Sequence, residues 1–262
     1  IASWNGLSRF DGFHFFNYTT GNTSGIPLLH NRILNLYTDN SQNIWLRMYD
    51  GRVFVLNRHT DSFVNPLQGI KGYEDFKTSH QLTVSSTGYV YAIIDGAGIY
   101  KMRLENDNVS TQLITTGQFR SHVIVEGYKG ALWVGTDRGI CRLYLSKNEM
   151  DEGALLPDEN ITCMHSNGYD IVAGTRSGKL FLYSPGQEPR LLATIGKPIS
   201  SIFIDSKKLV WFSEDVQGIS RLNPETGNIK SFTQSVMVPQ FDVKGATVKE
   251  TNGTVWVMMN HG

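Results

Sequence analysis

The chain has 262 residues with 24 basic and 24 acidic side chains, so its formal net charge at neutral pH is zero. This balance gives no electrostatic attraction to a phosphate backbone, which argues against nucleic-acid binding. A chain of this length buries enough surface to fold without disulfides or a structural metal, and no apolar run reaches the roughly 18 residues of a membrane helix.

A short motif recurs along the whole chain: an apolar segment, usually with an aromatic residue, precedes a polar turn, a glycine and a second apolar segment. The motif is most complete at Ala131–Leu143. Its glycines stand at positions 6, 51, 98, 139, 178, 218 and 262, so the repeat is 39 to 47 residues long. This period is typical of the four-stranded blade of a β-propeller.

The repeated segments have the composition of strands. In chain order, segments such as Ile33–Thr38, Ile199–Ile204 and Val210–Phe212 are short, rich in β-branched and aromatic residues, and bounded by turn-forming residues. Each repeat therefore predicts an inner strand, a second strand with the aromatic residue, a third strand after the glycine, and an outer strand. Hairpin residues join the last two strands at Leu56–Phe63 and again at Leu222–Ile229.

The pattern predicts an all-β fold class, a β-propeller of four-stranded blades. Inner strands that are apolar on both faces predict sheets sandwiched between neighbouring blades. Four tryptophans share the second-strand position and are expected between blades: Trp45, Trp133, Trp211 and Trp256. The sequence holds about six blade-equivalents, and we expect a single propeller over residues 1–262 that begins and ends within a blade. Seven blades are expected in the intact domain; the alternative is a six-bladed ring closed by pairing residues 254–259 with 6–10.

Two stretches carry a family resemblance, namely Gly6–Thr19 with the following Asn43–Leu46, and Leu132–Ile140. The chain has neither a Trp-Asp dipeptide at a strand end nor a Gly-Gly pair, so the WD-repeat and kelch signatures are missing. The two stretches closely resemble the two-component regulator propeller repeat, and the resemblance covers essentially the whole chain. The repeats that contain Tyr91 and Val172 depart from it at the tryptophan position.

The resemblance implies a function in signalling. In that family the propellers form the periplasmic sensor of hybrid two-component histidine kinases, which detect glycan fragments in polysaccharide-degrading gut bacteria. It implies a parent chain with a second propeller, an immunoglobulin-like domain, a membrane helix, a kinase, a receiver and a DNA-binding domain. It also implies an oligosaccharide ligand, a homodimeric parent anchored in the inner membrane, and a piece that binds or transmits without catalysis or a cofactor.

A secreted propeller glycoside hydrolase or polysaccharide lyase is the alternative. The sequence lacks a nucleophile elbow, a zinc-protease motif, a phosphate loop and a calcium loop, and its seven histidines lack the spacing of metal ligands. A propeller glycosidase would take its two carboxylates from different blades, so spacing leaves this class open. Cys141 and Cys163 are expected as buried thiols, with a disulfide as the alternative.

The candidate site lies in the loops between the second strand and the repeat glycine, which are expected to gather at one face. These loops carry aromatic faces for sugar rings, carboxylates for hydroxyls and arginines for an anionic sugar. Ordinary solvated hairpin tips are the alternative, although bulky Trp4 and Tyr49 are unlike such tips. No catalytic residue and no metal ligand is predicted. The predicted ligand-binding residues are Trp4, Tyr49, Asp50, Asp137, Arg138, Arg176 and His261.

Overall fold

The computed structural model describes residues 2–3, 6–20, 31–70, 79–116, 119–151, 155–214, 218–232 and 247–258. The chain forms two compact units, Ile1–Gln118 and Phe119–Gly262. Regular structure in the described residues is β-sheet apart from one short 3-10 turn at Tyr128–Gly130. Within those residues no helix has the length and apolar character needed to cross a membrane.

In the first unit the chain forms three antiparallel sheets whose strands follow one another in sequence order. The first described sheet has three strands and the next two have four each. The strands are β1 (Ala2–Ser3), β2 (Gly6–Phe10) and β3 (Phe15–Tyr18); β4 (Ile33–Thr38), β5 (Ile44–Met48), β6 (Val53–Asn57) and β7 (Ser62–Val64); and β8 (Ser79–Val84), β9 (Val90–Ile94), β10 (Gly98–Glu105) and β11 (Asn108–Thr115).

The second unit has three sheets of four strands and, in its described residues, one of two. The first strands of consecutive sheets, β12, β16 and β20, contact one another in order. The strands are β12 (Ser121–Glu126), β13 (Leu132–Thr136), β14 (Gly139–Tyr144) and β15 (Glu149–Met150); β16 (Ile161–Ser166), β17 (Ile171–Thr175), β18 (Lys179–Tyr183) and β19 (Arg190–Thr194); β20 (Ile199–Ile204), β21 (Val210–Glu214), β22 (Ile219–Leu222) and β23 (Ile229–Phe232); and β24 (Thr247–Thr251) and β25 (Thr254–Met258).

The backbone at the start of the third strand requires glycine. Gly98 and Gly139 begin third strands with φ angles of +114° and +107°, a region that side chains rarely adopt. A Cβ at Gly98 would lie 2.1 Å from the carbonyl oxygen of Thr115, and one at Gly139 would lie 2.5 Å from that of Leu155. A side chain at either position would collide with the backbone that leaves the same sheet. Only glycine therefore fits at the start of these third strands.

The core lies around the middle strands of the sheets. Every residue of β6, β9 and β17 is buried, whereas the first strand β4 exposes Leu34 and Leu36 by 45% and 36%. This first strand departs from the expectation that the inner strands are covered on both faces. The first strands β12, β16 and β20 contain no exposed residue.

Two tryptophans lie between sheets, as predicted. Trp45 of β5 is fully buried and belongs to one hydrophobic cluster with Leu82 and Val90 of the next sheet. Trp133 of β13 packs edge-on against Tyr183 of the following sheet, with ring centroids 5.0 Å apart.

The other two tryptophans differ from the prediction. Trp211 stacks on Phe232, which is in the outer strand of its own sheet, at a centroid distance of 5.5 Å. Trp256 is 61% exposed. Trp256 belongs to β25, which pairs with β24 in the described residues.

An aspartate holds the turn before two of these tryptophans. Asp39 Oδ2 accepts a hydrogen bond from Trp45 Nε1 at 2.9 Å, and Asp205 Oδ2 accepts one from Trp211 Nε1 at 2.8 Å. The Oδ1 atom of each aspartate accepts two backbone N–H groups of its own turn at 2.9 Å. One side chain thus fixes both the turn and the indole that follows it.

Both cysteines are free thiols. Cys141 is buried; Cys163 is partly exposed as a residue, but its thiol group is enclosed against Gly174 and Ile199. Burial raises the pKa of Cys163 to about 12, and its Sγ donates to the carbonyl oxygen of Ile199 at 3.6 Å. Neither thiol has the lowered pKa that a nucleophile would need.

Candidate functional site

The rim loops, defined as residues 49–52, 95–97, 137–138 and 176–178, join second to third strands. Three of them bind the backbone segment that enters the same sheet: Tyr49 N donates to Arg32 O at 2.9 Å, and Arg176 N donates to Asn160 O at 2.8 Å. Asp137 N makes the equivalent bond to Arg120 O at 3.1 Å. In these three sheets the rim loops and the entering segments share one end, as expected for propeller blades.

In the first unit, the rim loop presents an aromatic ring. Tyr49 is 55% exposed, and the guanidinium of Arg32 lies over its ring at 5.5 Å from the centroid. The neighbouring Asp50 is engaged within the loop, since its Oδ2 lies 2.8 Å from Arg52 Nε. Tyr49 is thus available for contact with an apolar ring face, and Asp50 serves the turn itself.

In the second unit, the rim loops present cations. Asp137 Oδ1 accepts from the backbone N–H of Arg120 at 3.2 Å. Arg138 is exposed, with its guanidinium 5.6 Å from the centroid of the Phe119 ring, and Arg176 is exposed in the corresponding loop of the next sheet. Within the described ranges neither Arg138 nor Arg176 has a carboxylate partner.

Two carboxylates near these arginines, Glu159 and Glu214, are already paired with lysines. Glu159 binds Lys179 and also accepts from Ser177 Oγ at 3.0 Å, while Glu214 lies 3.4 Å from Lys197. The sequence analysis missed these pairs because their partners are 17 to 20 residues apart and only the antiparallel register brings them together. In the described residues Arg138 and Arg176 therefore have no ion pair, and Asp137 beside Arg138 accepts a backbone N–H rather than a cation.

The predicted site residues fall into three groups. Tyr49 and Asp50 belong to the first unit, while Asp137, Arg138 and Arg176 lie in adjacent sheets of the second. Trp4 and His261 lie outside the described residues. In the described part of the chain no group of three or more His, Cys, Asp or Glu side chains is placed to hold a metal ion.

Two pockets lie at the other end of the sheets from the rim loops, and only the first includes residues, Asn57 and His59, of a turn that the sequence analysis attributed to hairpin geometry. The pocket of the first unit has a volume of about 530 Å³ and that of the second unit about 470 Å³. A usable sequence signal was present in the second unit, where Tyr128 and Tyr169 occupy turns that normally favour Gly, Asn or Asp. The first pocket is lined by Ser41, Asn43, Asn57, His59 and 103–107, and the second by Asn167, Tyr169, Asp170, 204–206, Lys208 and Glu250.

By sequence, no protein family and no curated protein matches this chain. By structure, it is similar to the extracellular domain of the putative hybrid two-component system BT3049 from B. thetaiotaomicron, with a TM-score of 0.71, 19% identity and coverage of 98% of this chain and 36% of that one. The corresponding domain of BT4673 from the same organism gives a TM-score of 0.65, 19% identity and coverage of 92% and 35%. A streptogramin B lyase gives a TM-score of 0.70, 16% identity and coverage of 98% and 84%.

These similarities establish the fold. The chain is an all-β protein built of four-stranded propeller blades, which confirms the fold implied by the resemblance to the two-component regulator propeller repeat. It spans about a third of the length of the two solved extracellular domains. A single propeller over residues 1–262 and seven blades in the intact domain stay predictions.

Proposed function

We propose that this chain is a non-catalytic sensor domain of a hybrid two-component histidine kinase, which recognises a glycan fragment or relays its binding to the kinase. The observation that carries the proposal is the structural similarity to the extracellular domains of two hybrid two-component systems, over 98% and 92% of this chain. The repeat motif supports it independently. The proposed location is the periplasm, within a dimeric parent that also holds an adjacent propeller and an immunoglobulin-like domain.

The rim loops of each unit are proposed as ligand-binding surfaces, each within its own unit. Tyr49 offers an exposed ring for the apolar face of a sugar. Arg138 and Arg176 offer guanidinium groups that can each bind a carboxylate or sulfate through two hydrogen bonds. Within the second unit the neighbouring carboxylates Glu159 and Glu214 are paired with lysines, so Arg138 and Arg176 are the groups that would bind an acidic oligosaccharide.

Calorimetry tests the proposal. Neutral and acidic oligosaccharides are titrated into the protein and into its Tyr49→Ala and Arg176→Ala variants. Loss of either contact is expected to weaken binding roughly five- to a hundredfold. Arg58→Ala is the matched control, because it removes an exposed arginine from the turn between β6 and β7 at the other end of a sheet. Unchanged affinity in both rim variants would refute the rim as the binding surface.

An enzyme is the second candidate, since a streptogramin B lyase shares the fold at a TM-score of 0.70. One described histidine is poorly placed for acid–base chemistry, because His165 Nδ1 accepts the N–H of Ile204 at 3.2 Å between two sheets. The protein is incubated with a streptogramin B antibiotic and with polysaccharide substrates, and the products are followed by mass spectrometry. Turnover of either would favour the lyase or hydrolase over the sensor.

A further inference from the structure

The pocket of the second unit is built from turns that the rim proposal does not use. Its lining comes from the turn between β16 and β17, the turn between β20 and β21, and Glu250 of β24. Its volume of about 470 Å³ lies within the range of roughly 300–1,000 Å³ found for small-molecule sites. It is therefore large enough to hold a ligand of one or two rings.

Two exposed tyrosines mark its edge. Tyr169 lines the pocket and is 50% exposed, and Tyr128, in the equivalent turn of the preceding sheet, is 42% exposed. Their rings pack edge to face with centroids 5.1 Å apart. Two other turns between first and second strands carry the small polar residues Asn40 and Ser206, so turn geometry does not require an aromatic residue here.

The walls of the pocket are held by internal hydrogen bonds. Both carboxylate oxygens of Glu250 accept from Ser206, one from the backbone N–H at 2.7 Å and one from the hydroxyl at 2.6 Å. Asp170 accepts from Ser184 Oγ at 2.5 Å. Asp170 and Asp205 are 7% and 5% exposed. A pocket whose walls are already ordered loses little conformational freedom when a ligand binds.

The groups that stay available include both donors and acceptors. In the described residues, the Lys208 ammonium, the Tyr169 hydroxyl and the Asn167 amide nitrogen make no side-chain hydrogen bond, and neither does the second carboxylate oxygen of Asp170. Lys208 would repel a cation, and the carboxylates of Asp170 and Glu250 would repel an anion. A neutral ligand with many hydroxyls avoids both repulsions and can bond to the donors and the acceptors, because each hydroxyl donates and accepts.

We propose that this pocket binds a neutral saccharide unit, with an apolar ring face on Tyr169 and hydroxyls shared between Lys208 and Asp170. The site lies at the opposite end of the sheets from the rim loops. It is an additional binding site, and it does not depend on whether the rim loops bind an acidic sugar.

The test uses xylotriose, maltotriose, cellotriose and mannotriose as probes at millimolar concentration, with saturation-transfer NMR and calorimetry. Tyr169→Ala should weaken binding of at least one probe by about tenfold, and Lys208→Gln should also weaken it. Tyr169→Phe keeps the ring and should retain most of the affinity. Both positions are exposed, so the three variants should fold, which far-UV circular dichroism checks.

Arg176→Ala at the rim separates the two proposals. Binding that is lost in Tyr169→Ala and kept in Arg176→Ala supports the saccharide pocket. Binding of an acidic sugar that depends on Arg176 alone, with no neutral probe bound, overturns the pocket and leaves the rim proposal in place. A neutral probe that binds equally well to Tyr169→Ala and Lys208→Gln also overturns it.

Discussion

Truncating the tryptophans one at a time should give a graded loss of stability that follows their burial. Trp45 is fully buried, Trp133 and Trp211 are partly buried, and Trp256 is 61% exposed. Removing a buried large aromatic side chain costs about 3–5 kcal/mol of unfolding free energy. Trp45→Ala should reach the upper end of that range, because it also takes a donor from the buried carboxylate of Asp39.

The three tryptophans of the second unit give the sharpest comparison, because they report on the same unit. Trp133→Ala and Trp211→Ala should each cost about 2–3 kcal/mol, since each leaves part of its ring in water. Trp256→Ala should cost less than about 1 kcal/mol, as is usual for exposed positions. Trp45→Phe is the control in the first unit, since it keeps a buried ring and removes only the indole N–H.

Urea unfolding followed by far-UV circular dichroism measures the series without relying on tryptophan fluorescence. Midpoints are compared at constant m-value, so that a change in the midpoint reports stability rather than compactness. A Trp256→Ala variant as destabilised as Trp133→Ala would refute the argument, since it would show that Trp256 is covered in solution. Near-neutral stability of Trp45→Ala would refute the assignment of the core.

Three further predictions use the same assay or a simple chemical probe. Gly139→Ala should destabilise by several kcal/mol, because its Cβ would lie 2.5 Å from a backbone oxygen, while Gly168→Ala, with open space around it, should cost only about 1–2 kcal/mol for its positive φ. Burial lowers the pKa of His165 to about 4 from 6.5, so the unfolded chain binds a proton that the folded chain does not, and stability should fall between pH 6.5 and 4 by up to about 3 kcal/mol. His165→Gln should flatten that dependence, and an unchanged slope would contradict it. Cys163, whose pKa burial raises to about 12, should react with a thiol reagent in urea and resist it at neutral pH; rapid labelling of the native protein would contradict this.

Features that repeat along the chain were predictable from sequence. The glycine at the start of each third strand recurs because its backbone must adopt a positive φ beneath a passing carbonyl, and Gly98 and Gly139 show this directly. The burial of Trp45 followed from the same recurrence, since it lies within a complete pair of sheets.

Features that depend on what lies beside a repeat were not predictable. Trp211 and Trp256 share the sequence position of Trp45, yet Trp211 stacks on Phe232 of its own sheet and Trp256 is 61% exposed. The pairing of Glu159 with Lys179 and the contact between Tyr128 and Tyr169 depend on register and on the spacing of adjacent sheets. A candidate site read from loop composition alone therefore found the exposed Tyr49, Arg138 and Arg176 and overlooked the two pockets.

The aspartate that precedes Trp45 and Trp211 has a consequence for how such a chain can evolve. Its hydrogen bonds reach at most six residues along the sequence, from Asp39 to Trp45 and from Asp205 to Trp211. The hydrogen bonds that the aspartate makes in these two turns are therefore local in sequence and can form before distant parts of the chain meet. Duplication or deletion of a gene segment that encodes one such blade leaves the aspartate–indole hydrogen bonds of the other blades in place. The number of blades can therefore change without a change in these turns.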